Sequence, residues 1–224
     1  MESNMRKFVK ALAFFSAIMT FGIACDDDSQ KPPEVNTWIY PNEVGDWWVY
    51  QVADSLSSAI DTIHVRIEGR DTLNNGDSVT VWVFSDGDEI DTSYLHIGYG
   101  FLTTDSGPVI RYDTVFIYAG KDLTSLSDIM IFPLRVGDFW MGVMDRDTVR
   151  VVEKMRIQTR AGDFDAYLVQ TTRNQFENVI NSKKWVVHHL GMARWDFVWL
   201  SGTMQGHEGW ELLNWLPEGA FSTR

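Results

Sequence analysis

The chain of 224 residues has one cysteine, six prolines and five histidines. A single thiol rules out an internal disulfide framework and any site built from two cysteines. Basic side chains are also scarce, 19 against 31 acidic ones. Setting aside Glu2, Arg6, Lys7 and Lys10 leaves 30 acidic and 16 basic residues from Cys25 onward, a net of −14. Such a surface repels phosphate backbones, so nucleic acid is not an expected partner, nor is anionic lipid through charge alone. Ala-rich helical runs are rare too. What abounds instead is aromatic: ten Trp, thirteen Phe and seven Tyr. Together with Val, Thr, Asn, Asp and Gly these favour strands and turns in a globular core.

The beginning of the chain has the form of an export signal. Arg6, Lys7 and Lys10 precede the uncharged run Ala11 to Ala24, which is short for a membrane span and suited to a signal core. It ends Gly22-Ile23-Ala24-Cys25. This resembles the lipobox of bacterial lipoproteins, with Gly22 standing where that motif most often has Leu. The resemblance implies cleavage after residue 24 and acylation of Cys25, and several acyl chains on one residue make a durable membrane anchor. Asp26-Asp27-Asp28 and the polar stretch to residue 37 read as a solvated tether, and the acidic triplet resembles lipoprotein sorting signals. The expected organisation is a signal peptide at 1–24, a lipidated Cys25 with its tether at 25–37, and one β domain at 38–224. The expected address is the bacterial cell envelope, in the outer membrane on its periplasmic face or at the cell surface.

Within 38–224 the sequence repeats itself. Tyr40-Pro41-Asn42-Glu43-Val44-Gly45-Asp46-Trp47-Trp48 returns as Phe132-Pro133-Leu134-Arg135-Val136-Gly137-Asp138-Phe139-Trp140. Further matches follow in the same order: Asp61–Val65 with Asp147–Val151, Asn75-Gly76-Asp77 with Ala161-Gly162-Asp163, Tyr94-Leu95-His96 with Trp185-Val186-Val187, and Gly100 with Gly191. The two copies cover 38–131 and 132–224, with a longer loop expected in the second at Arg173 to Ser182. In the shared motif Gly45 and Gly137 suit a bend with positive φ. Asp46 and Asp138 can fold their carboxylates onto the turn's N–H groups, and Trp48 and Trp140 enter the core. The alternative for the two aspartates is a carboxylate pair for acid–base chemistry or metal binding.

Strand signals run the length of the domain. Ile63, Val65 and Ile67 alternate with polar residues, Val79 to Phe84 is β-branched and aromatic, and Asn74-Asn75-Gly76-Asp77 between them predicts a hairpin. Further strands are expected at 47–52, 94–97, 109–118, 139–144, 148–156, 164–172, 183–188, 192–199 and 205–213. One short linking helix is expected near residues 123–130, where Leu123, Leu126, Ile129 and Met130 share a helical face behind a cap at Asp122. The predicted fold is all-β, an antiparallel curved sheet or open barrel built from two repeats.

The repeated motif, Ala161-Gly162-Asp163-Phe164-Asp165-Ala166 and Trp185…Leu190-Gly191 together resemble a group of uncharacterised bacterial lipoproteins. That group is distantly similar to the curved half-barrels of periplasmic lipoprotein carriers, which enclose acyl chains. The resemblance covers most of 38–200, with His188-His189 interrupting its aromatic strand. It implies an envelope protein with no established enzymatic activity.

Catalytic and metal signatures are weak. His188 and His189, adjacent on an expected strand, would point to opposite faces. No His-x-x-x-His, calcium loop, nucleophile elbow or phosphate-cradling glycine loop occurs, so no cofactor or metal is expected. The aromatics carry more. Trp195, Phe197 and Trp199 fall on one strand face, either as plain core or as the lining of a groove for an apolar ligand. Trp210 and Trp215 could instead be exposed platforms for sugar rings. Three functions follow: a non-enzymatic envelope lipoprotein binding an apolar small molecule or a partner protein, a surface lipoprotein binding glycans through Trp, and, last, a hydrolase using carboxylates or His.

Overall fold

The structure is a computed structural model. It describes residues 40–55, 59–87, 89–102, 110–143, 147–175, 178–201 and 204–216, and for 99–102, 110–111, 173–175, 178–180, 199–201 and 204 the backbone alone. Cys25 and the tether lie outside the described residues.

Among the described residues, twelve antiparallel strands form one curved sheet. The first six are β1 Trp47–Asp54, β2 Ile60–Thr72, β3 Ser78–Asp86, β4 Glu89–Leu102, β5 Ile110–Tyr118 and β6 Leu126–Phe132. The second six are β7 Phe139–Met141, β8 Asp147–Thr159, β9 Gly162–Gln175, β10 Asn178–Val187, β11 Gly191–Ser201 and β12 Met204–Leu216. Each set is a meander, and β1 pairs with β12 to join them. The chain thus starts and finishes its strands mid-sheet, while β6 and β7, neighbours in sequence, are the two outer edges. The all-β curved sheet anticipated from alternation is present.

The two copies of the motif fold alike at the level of single hydrogen bonds. Asp46 N–H donates to Glu43 O at 3.1 Å, and Asp138 N–H to Arg135 O at 3.0 Å. Gly45 N–H donates to Ile67 O and Gly137 N–H to Val151 O, both at 2.9 Å, and each bond has a return from Ile67 or Val151 to the aspartate carbonyl. Gly45 and Gly137 have φ of 103° and 96°, a conformation that a side chain would strain.

The strand register corrects several details of the repeat. It equates Ile67 with Val151 and Val65 with Val149, because Trp48 faces Val65 as Trp140 faces Val149. The match of Asp61–Val65 to Asp147–Val151 is therefore two residues out, a slip that leaves every side chain on the same face and is invisible to a period-two pattern. Gly100 and Gly191 are not equivalent. Gly100 lies inside β4 opposite Tyr112, whereas Gly191 follows a turn and opens β11. Arg173 to Ser182 is no loop either, since β9 and β10 stay paired out to Gln175 and Asn178.

The linking helix is replaced by a single 3-10 turn, Leu123–Ser125, with no side-chain cap from Asp122. Residues 126–132 form β6 instead. Ile129 and Ile131 are β-branched, and Met130 and Phe132 are buried at a spacing of two, so pairing with β5 overrides the helical spacing of Leu126, Ile129 and Met130.

Buried side chains build two main clusters. One joins Trp48, Tyr50, Val65 and Ile67 of the first meander to Ile157, Leu168, Trp185 and Leu212 of the second. The other joins Leu95, Val115, Met130 and Phe132 to Trp140, Val149, Val169 and Val186. The sheet curls so far that β6 and β10, never hydrogen-bonded as strands, face each other across its concave side.

Candidate functional site

That concave side encloses a cavity of about 330 Å³, within the range of small-molecule sites. The wall is mainly aromatic. Trp48 and Tyr50 come from β1, Trp82 and Phe84 from β3, Trp195 and Phe197 from β11. All three pairs point inward because alternate residues of a strand share a face. Trp210 of β12 completes the wall, packing against Trp195 at 5.5 Å and Tyr50 at 5.7 Å between ring centroids.

Several rings are fixed by polar contacts at their rims. Trp48 Nε1 donates to Leu190 O at 2.8 Å and Tyr50 Oη to Met192 O at 2.7 Å. Trp195 Nε1 donates to Ser182 Oγ at 2.6 Å, and Trp210 Nε1 to Glu208. Trp82 differs. It stacks on Trp48 at 4.9 Å and on Tyr40 at 5.9 Å, yet its buried Nε1 has no hydrogen-bond partner among the described residues. Native cores rarely leave such a donor unpaired.

One corner of the cavity is polar. Asp128 of β6 and Lys184 of β10 form an ion pair across the gap between those strands, with side chains 21% and 17% exposed. Asp128 also accepts the N–H of Ile129 on Oδ1 at 2.9 Å. The ammonium of Lys184 lies 5.7 Å from the centre of the Trp195 ring, a cation–π arrangement. Ser182, two residues from Lys184 on the same face of β10, lines the cavity beside it. Burial, and after it the nearby Asp128 charge, push the Tyr40 phenol well above its usual pKa of 10. Burial does the same to Tyr50, with Tyr40 adding to it.

Of the residues singled out by sequence, Trp195 and Phe197 line the cavity side by side, 5.6 Å between ring centroids. Trp199 lies opposite Gly206 in the β11–β12 ladder, and its side chain is outside the described residues. Trp48 lines the cavity, whereas Trp140 is buried in the second cluster. Asp46 is buried, with its carboxylate accepting Glu43 N–H at 3.1 Å. Asp138 is exposed on the other turn. The two aspartates sit on separate turns, one hydrogen-bonded to β2 at Ile67 and the other to β8 at Val151. Trp210 and Trp215 are half-buried against the core rather than displayed as platforms.

His188 and His189 require a correction. The strand stops at Val187, and His188, His189 and Leu190 form a turn in which His189 takes φ 60°. The two rings lie 3.5 Å apart between centroids instead of on opposite faces. Desolvation, then the charges of His189 and Lys154, lower the pKa of His188. Among the described residues no three His, Cys, Asp or Glu side chains converge as metal ligands would.

Sequence reasoning missed Tyr40, Trp82, Asp128 and Lys184 as members of the site. The first two were visible only as strand or motif aromatics. The ion pair joins residues 56 apart in sequence, with no local pattern to announce it.

No protein-family model matches the chain, and the comparison with curated proteins finds no match. Two solved structures show a faint likeness. A protein described as a lipoprotein from Parabacteroides distasonis is 12% identical, with a TM-score of 0.38 over 79% of this chain and 97% of its own. A protein described as exported, with a YmcC-like fold, from Bacteroides fragilis is 11% identical, with a TM-score of 0.38 over 80% of this chain and 99% of its own. At that level of superposition neither says what this chain does.

Proposed function

We propose that this protein is a non-enzymatic lipoprotein of the bacterial cell envelope, anchored through acylated Cys25, whose curved sheet binds an apolar small molecule. The observation that carries the binding reading is the cavity itself: about 330 Å³, walled by inward-facing aromatics from both meanders and holding few polar groups. Ligand sites share that balance of apolar wall and sparse polar contacts. The address rests on the signal core and on Gly22-Ile23-Ala24-Cys25.

The full chain with Cys25→Ser is titrated with a neutral fluorescent polyene. Saturable binding that quenches Trp emission is expected. Met192→Trp, which fills the cavity from its lining, is expected to weaken it at least tenfold while the thermal midpoint shifts little. Undiminished binding in that variant would remove the cavity as the site. Separately, the intact mass of membrane-extracted protein is expected to show acyl chains on Cys25, and a free thiol there would overturn the anchor.

A further inference from the structure

Asp128 and Lys184 are the two charged side chains among the described residues lining the cavity. They cancel each other, and both are largely withdrawn from water. No backbone ladder runs between their strands, and two apolar side chains could close the gap at least as stably. What the pair does that an apolar closure would not is offer hydrogen-bond donors to a bound molecule without a net charge.

Asp128 is held from two sides. Its Oδ1 takes the Ile129 N–H and its Oδ2 takes Lys184. A carboxylate so engaged is not readily displaced by an incoming anion. An anionic head entering this corner would therefore add a charge with no counter-charge, in a partly desolvated site of a chain already at −12. The Lys184 ammonium has three N–H donors, and the bond to Asp128 uses one. The others can serve a hydroxyl or ester oxygen, and Ser182, whose Oγ accepts the Trp195 indole N–H, lines the cavity two residues along β10 from Lys184.

We propose that the Asp128–Lys184 pair makes the cavity selective for amphiphiles whose heads carry oxygen acceptors but no net charge, and against fatty-acid anions. The proposal rests on the ligand-binding reading above and adds the class of head group. A monoacylglycerol has the required form: one chain for the aromatic wall, and ester and hydroxyl oxygens for Lys184.

The test uses the full chain with Cys25→Ser at pH 8, with monomyristoylglycerol and myristate competing against the neutral polyene below their micellar concentrations. The intact pair is expected to prefer the glyceride at least tenfold. Asp128→Asn, which leaves Lys184 without its counter-charge, is expected to tighten myristate binding at least tenfold and to erase or reverse the preference. The double variant Asp128→Asn/Lys184→Gln restores neutrality without an ion pair, and is expected to reject myristate again. Equal binding of the two lipids to the intact pair, or a preference unchanged in Asp128→Asn, would overturn the selectivity while leaving the cavity reading intact. Failure of the polyene itself to bind would remove both.

Discussion

The indole nitrogen of Trp140 donates a 3.0 Å hydrogen bond to the carbonyl oxygen of Ile129. Trp140 belongs to β7 and Ile129 to β6, the two outer edges of the sheet. One side chain thus ties together edges between which no ladder runs. Its partner in the repeat, Trp48, also donates to a main-chain carbonyl, that of Leu190 in the turn before β11. The same residue type at the same motif position is used once to brace the middle of the sheet and once to hold its margins.

Trp140→Phe should keep most of the buried ring and lose the bond, costing about 1 kcal/mol. Trp140→Ala removes the packing as well and should cost about 3–5 kcal/mol. Urea denaturation of both variants checks this. Amide exchange should quicken first in β6 and β7 of Trp140→Phe, and uniform quickening would contradict a seam-specific role.

Gly137→Ala should destabilise by about 1–2 kcal/mol through backbone conformation alone. A Cβ there meets nothing within 4 Å, so the cost arises from φ of 96°. Gly69, with no positive φ and equally open surroundings, is the control. Gly69→Ala should be neutral or slightly stabilising, and equal losses at both positions would refute the turn argument.

Stability should fall above pH 10. The phenols of Tyr40 and Tyr50 are raised in the folded state, mainly by burial. Below pH 10 both states carry them neutral and their contribution is fully present. As pH rises past 10 the unfolded chain ionises them first, so folding is progressively penalised until the folded-state values are reached. Absorbance at 295 nm should show these phenols ionising together with loss of structure, and Tyr40→Phe should flatten the alkaline decline in thermal midpoint. A decline of unchanged slope would sink the assignment.

Most strands were readable because their signals were local. The alternation around Ile63, Val65 and Ile67 and the turn at Asn74–Asp77, where Gly76 takes φ 95°, each specify structure within a few residues. β6 was misread because Leu126, Ile129 and Met130 satisfy a helical period, while the competing choice depended on β5 being alongside. The end of β10 was misread for a similar reason: His188 continues an aromatic strand in composition, but the turn through His189 and Gly191, both at positive φ, ends it. The inward row of Trp195 and Phe197 was legible from spacing. The cavity it faces was not, because its volume and its polar corner exist only once curvature carries β6 over to β10.

Trp48 sits between Val65, met seventeen positions later, and Trp215, near the far end of the described chain. Each meander can zip up from its own hairpins. The central ladder between β1 and β12 cannot begin until both ends of the domain are present together. Until then β1 is an open edge carrying Trp47, Val49 and Tyr50, and any factor that escorts the unfolded protein has that strand to shield.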